Sequence, residues 1–163
     1  MRFQDWQVRV IQLLAVPGLL VSFYLWLYHN GTLFAACGPG GLDDCGAVSG
    51  PGAPFSSLGP FPVAAIGFLG YTVIFGLIWL RDWVAAVDDY LAELLLGVTG
   101  VAFLFTLYLT GLELFVIHAF CRYCLISAVI VMTMFVLAVS YLRRVEAGQW
   151  EDQLERSAEK SLP

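Results

Sequence analysis

Four cysteines carry the chemistry this chain can do, and two of them, Cys121 and Cys124, stand in the run Phe120-Cys121-Arg122-Tyr123-Cys124-Leu125. In a water-soluble chain a C-x-x-C spacing points to a thioredoxin-type redox motif or to half of a zinc site. Here it opens a segment apolar enough to cross a membrane, and at a membrane surface it points to thiols that exchange electrons. No metal site is expected. Cys121 and Cys124 fall at or just before a helix amino terminus, where unpaired N–H groups and the helix dipole stabilise a thiolate. Such a thiolate is poised to attack a disulfide or an electrophilic quinone. A purely structural Cys121–Cys124 bridge is the plainer reading, but the spacing strains a bridge and suits reactivity.

Cys37 and Cys45 lie in a glycine-rich loop, with Gly38-Pro39-Gly40-Gly41 between them. One disulfide there would staple the loop and contribute about 2 to 3 kcal/mol on chain-entropy grounds. The glycines also let the loop move, and a mobile disulfide can accept electrons outside and pass them inward. Two pairs on one face favour a relay over a staple.

Glu113 is the polar residue hardest to explain by structure alone, because a carboxylate within a span costs about 2.5 to 3.5 kcal/mol on insertion scales; the plainer alternative is an acid that snorkels to the outer interface. It precedes Cys121 by eight residues, which on a continuous helix places it about two turns deeper in the membrane. His118 lies between them, closer to the surface, and reads either as an interfacial polar residue or as a group for proton handling. The aromatic set Phe103, Phe105, Tyr108 and Phe115 reads first as packing, although a flat apolar slot near Cys124 would suit a quinone ring.

The elements that must position these groups are membrane helices. Sixty per cent of the 163 residues are hydrophobic and 13% are charged, and the mean hydropathy is +0.80; an ordinary soluble domain is about 45 to 50% apolar. A bilayer core needs about 20 apolar residues per helix, and four such stretches occur, near Val10–Tyr28, Pro62–Leu80, Leu94–Phe120 and Cys124–Leu142. Lipid forbids unpaired sheet edges, so the expected fold is an all-α, four-helix transmembrane bundle with a Gly/Pro-rich outer loop as its cap. Residues 1–145 form that redox domain, and 146–163 form a polar cytoplasmic tail, expected as a frayed helix. Loop residues 29–61 have the composition of turns and a cover, not of a regular helix, and Phe55, Leu58 and Phe61 let that cover rest on the bundle.

Arg2 and Arg9 precede the first span, Arg81 follows the second, and Arg143, Arg144, Arg156 and Lys160 follow the fourth, while the opposite side holds only Arg122. The positive-inside rule then puts both termini in the cytoplasm and all four cysteines on the outer face, where disulfides persist. The protein is expected in the inner (cytoplasmic) membrane, crossing it several times. The net charge of −5 is no nucleic-acid footprint. A lipoprotein signal ending at Phe34-Ala35-Ala36-Cys37 is disfavoured, because its apolar region is longer than the about 7 to 15 residues of a signal-peptide core.

On these residues the chain resembles the vitamin K epoxide reductase family, in particular its bacterial single-domain members. The likeness rests on Cys37 and Cys45 in the first outer loop, the Pro62-to-Tyr71 run opening the second span, and the run Glu113 to Ala128 containing the C-x-x-C, and covers about residues 8–143. The order of the cysteines discriminates too: an analogous class of quinone reductases carries its C-x-x-C first and the separated pair later. The resemblance implies a bundle holding a quinone, menaquinone or ubiquinone, beside Cys124. Glu113, His118, Ser127 and Phe115 are expected around it. Cys121 and Cys124 become the active pair, Cys37 and Cys45 the shuttle, and the electron donor a thioredoxin-like thiol protein on the outer face. With no thioredoxin domain after Pro163, that donor is expected to be a separate protein. Vertebrate members carry a Tyr four residues after the last active cysteine and an Asn near the start of the second span. Ala128 and Val63 stand at those positions, which favours ordinary quinone reduction over vitamin K epoxide chemistry. The family's loop serine falls at Ser56 or Ser57. The competing class is a non-enzymatic membrane scaffold with two structural disulfides; a thiol transporter is disfavoured because no cysteine lies near the cytoplasmic side.

Overall fold

The computed structural model describes residues 6–33, 44–53, 55–119 and 121–160. Four of its helices are long and apolar enough to cross a membrane. They are α1 (Trp6–His29), α3 (Val63–Leu80), α5 (Leu91–Leu112, prolonged by a π-helical turn Glu113–Ile117) and α6 (Arg122–Lys160). Each packs on two neighbours, α1 on α3 and α6, and α5 on α3 and α6, so the four close into a ring. The all-α membrane bundle expected from composition is therefore the fold observed.

The half of the bundle away from the cysteines is a continuous apolar core. Val8, Ile11 and Ala15 of α1 meet Ile74 and Ile78 of α3, Leu91 and Leu95 of α5, and Met134 and Ala138 of α6. A separate outer cluster contains two of the cysteines: Leu25, Cys45, Val48, Ala119 and Cys121. Much of the remaining apolar surface faces outward, including Leu20, Leu69, Val101, Leu104 and Val129, as helices surrounded by acyl chains require.

Two sequence expectations about local structure are corrected. The outer loop does hold a regular helix, α2 (Cys45–Ser49), because the Asp44 carboxylate accepts from the backbone N–H groups of Gly46 at 2.9 Å and Ala47 at 3.1 Å and so satisfies donors a short helix leaves unpaired. The same loop ends in a small hairpin, β1 (Ser57–Leu58) against β2 (Phe61–Pro62), turned at Gly59 with φ +62°, where a side chain would be strained. The polar tail is the helix expected of it, but without fraying: α6 runs unbroken to Lys160, with residues 146–160 exposed. Its Glu, Gln, Ala, Leu, Arg and Lys content favours helix, and Asp152 and Arg156 stand four residues apart, the spacing of a helical ion pair. The short connection α4 (Ala85–Asp89) lies at the other end, where Arg81 pairs with Asp88 at 3.6 Å.

Candidate active site

The third apolar segment does not run helically to Phe120. After Leu112 the backbone widens into the π turn, and His118 then takes a left-handed conformation, φ +55° and ψ +29°, a region in which His is enriched among non-glycine residues. This reversal brings Glu113 level with the C-x-x-C instead of two turns below it. The Glu113 carboxyl is 4% exposed and has the Cys121 backbone amide and the Cys124 thiol as hydrogen-bond partners. The same reversal turns two expected site residues away. Phe115 is 80% exposed, and His118 is exposed, with Nδ1 3.3 Å from the Val116 carbonyl oxygen. The structure brings neither to the cysteines.

Cys121 occupies the residue before α6, where its carbonyl accepts the first helical bond from the Leu125 N–H at 3.0 Å. Its sulfur is fully buried. Hydrogen bonding from the Cys124 thiol holds the Cys121 thiol below its ordinary range; burial opposes this, and the N–H groups of Cys124 and Tyr123 add to it. Those amides are the orphan donors of a helix amino terminus, with a thiolate in the place of a capping oxygen.

Helix α2 lies against this motif in a matching register. Cys45 at its start is 1% exposed, and its Sγ stands 3.4 Å from that of Cys121. Ser49, one turn on, has its hydroxyl 3.7 Å from the Cys124 sulfur. Residues four apart on α2 thus face residues three apart at the start of α6. Cys121 and Cys124 are free thiols, while Cys45 is disulfide-bonded. Cys37 lies outside the described residues. Of the two loop serines, Ser56 is buried and its hydroxyl donates to the Ala53 carbonyl at 2.8 Å, and Ser57 is exposed in β1.

Cys124 opens onto a cavity of about 440 Å³ between the two apolar clusters. Its wall is mostly aliphatic, with polar groups that include Ser49, Glu113, Cys124, Tyr71, Ser127 and His29. That composition and size are those of a small-molecule site and fit a quinone ring. Phe105 lines it, whereas Phe103 stacks on Phe135 at 4.8 Å, a packing role.

Sequence reasoning missed three residues here. Ser49 was readable only through Asp44, a helix-capping residue directly before Cys45. Tyr71, whose hydroxyl is 2.8 Å from the Ser127 Oγ, was the tyrosine in the middle of an otherwise apolar span. His29, at the outer end of α1, lines the cavity with a buried Nδ1 that has no partner; nothing in its local sequence signals this.

In comparison with known proteins, the sequence model of the vitamin K epoxide reductase family matches residues 9–139. No curated protein matches the chain.

Proposed function

The chain belongs to the vitamin K epoxide reductase family, of membrane disulfide oxidoreductases, and on that footing we propose that it carries electrons from an outer thiol protein to a membrane quinone. The observation that carries this reading is a single line of sulfurs. Cys45 touches Cys121 at 3.4 Å, and Cys124, three residues on, opens onto the apolar cavity.

The donor, a thioredoxin-like protein, reduces the Cys37–Cys45 disulfide by exchange. The Cys45 thiolate then attacks the Cys121 sulfur of an oxidised Cys121–Cys124 pair and releases the Cys124 thiolate. Attack of Cys37 on Cys45 in the mixed disulfide releases Cys121, whose lowered thiol pKa makes it the better leaving group. The electron pair now resides on Cys121 and Cys124. A quinone in the cavity supplies a two-electron, two-proton acceptor. The Cys121–Cys124 dithiol gives up two electrons and two protons and returns to a disulfide. Glu113, beside Cys124, is placed to hold or move one of these protons.

The acceptor is menaquinone or ubiquinone, and the basic residues at the end opposite the cysteines support a cytoplasmic position for both termini. The full-length protein in detergent should reduce a quinone in the presence of a dithiol donor, and Cys124→Ala should abolish this while leaving the bundle folded. A Cys124→Ala protein that turns over normally would overturn the assignment.

A further inference from the structure

Electrons and protons need different routes into this cavity. In each thiol–disulfide exchange a thiolate attacks and a thiolate leaves, so an electron pair passes from sulfur to sulfur without a proton. A quinone takes up two protons with its two electrons. The donor sheds its thiol protons into water at the outer face, and the sulfurs that lead inward offer no water path, since Cys45 is 1% and Cys121 0% exposed. Glu113 can hold a proton beside Cys124, but it is buried too and needs a carrier to reload it.

The chain has two histidines. His118 is exposed and turned away from the cysteines; His29, the last residue of α1, is the other. Ser22, Leu25 and His29 all line the cavity, at the i, i+3, i+7 spacing of one helix face. Leu25 packs with Cys45, Val48 and Cys121, so His29, one turn further on, stands at the cysteine end, beside the exposed Asn30. The residue is half-buried, yet its Nδ1 is fully buried and has no partner among the described residues. Buried polar nitrogens are ordinarily paired, and packing alone would be served better by an apolar side chain. The other ionisable groups of the wall are Tyr71, Glu113 and Cys124. Asp44 before α2, Tyr24 and Tyr28 of α1, and Arg122 and Tyr123 of α6 belong to the same end without lining the cavity.

An imidazole accepts a proton on one nitrogen and releases one from the other, and it does so near neutral pH. We propose that His29 is the proton port of the site, carrying protons from outer water into the cavity for Glu113 and Cys124. A cavity of this size has room for the water that hands them on. Two protons leave the donor dithiol for outer water, two enter through His29, and both end on the quinol with the electron pair, so no further oxidant or reductant is needed. The inference rests on the electron path proposed above and adds the route of the protons.

Hydrogen–deuterium exchange at the Cys124 thiol tests the port without any quinone. When the reduced, quinone-free, full-length protein is mixed into heavy water, the S–H infrared band that Cys124→Ala lacks reports the arrival of protons at the site. His29→Gln keeps the polarity and approximate size of the side chain but cannot carry a proton. It should slow this exchange about a hundredfold, the low end for losing a proton-transfer group, and slow quinone reduction from a dithiol as well. Added imidazole should restore both rates, which it would not do for a merely structural defect, and His118→Asn should leave both unchanged. Wild-type rates in His29→Gln, or a slowing that imidazole does not relieve, overturn the proposal. A wild type that exchanges through His29 but reduces no quinone sinks the electron path and leaves the port standing. Quinone reduction with exchange independent of His29 does the reverse.

Discussion

The sulfurs of Cys45 and Cys121 stand 3.4 Å apart, 76 residues apart in sequence, with both residues buried. Such contact depends on α2 keeping its register over the start of α6, and that register is fixed at one end by the Asp44 cap. The exchange proposed between the two pairs would therefore need little rearrangement, whereas a small reagent from solvent finds Cys121 covered.

Removing Cys124 should stop the exchange at its midpoint. In Cys124→Ala, Cys121 can no longer be resolved within its own motif, and the mixed disulfide with Cys45 should accumulate. Non-reducing peptide mapping should recover a Cys45–Cys121 linkage. Finding only Cys37–Cys45 under every redox condition would exclude direct transfer between these two sulfurs.

How much of this was legible in the sequence differs by residue. The bundle was readable because lipid leaves few choices: four long apolar runs can only be helices. The C-x-x-C was readable because its spacing and its place at a helix start are local. The surroundings of Cys124 were not, because they depend on one backbone reversal. The His118 left-handed turn raises Glu113 to the cysteines and points Phe115 outward, and no glycine or proline between Glu113 and Cys121 announces it. Ser49 and Tyr71 join the site only through helix packing, which spacing along the chain does not encode.

Glu113→Gln keeps the shape and hydrogen-bonding capacity of the side chain and removes its titratable proton. Quinone reduction should fall by about a hundredfold, the low end for losing a proton-transfer group. Glu113→Leu should be at least as slow. It should be no less stable in thermal unfolding, because removing a carboxyl from a span offsets the loss of its contact with the Cys121 amide. Unchanged rates and pH profiles in both variants would retire the proton role.

The lowered Cys121 thiol gives a pH signature. In the reduced protein, thiolate absorbance should appear with a midpoint below the ordinary thiol value of 9.0. Because Cys124 hydrogen bonding is the largest cause, Cys124→Ala should move that midpoint upward. The linkage sign follows from a depressed folded pKa: the stabilisation is fully present above 9.0 and is lost as pH falls through the lowered value. Reduced protein should thus gain stability towards mildly alkaline pH, more in wild type than in Cys124→Ala. Identical midpoints in the two proteins would remove Cys124 as the cause.

Two glycine substitutions should act with opposite sign. Gly18→Ala places a methyl into the Tyr71 ring, and overpacking of this kind costs about 1 to 3 kcal/mol; the melting temperature in detergent should fall. At Gly76, also within a span, an added Cβ meets nothing within 4 Å, so Gly76→Ala should be neutral or stabilising by up to about 1 kcal/mol through helix propensity. Equal melting temperatures in the two variants would mean that the ring is not seated by this contact.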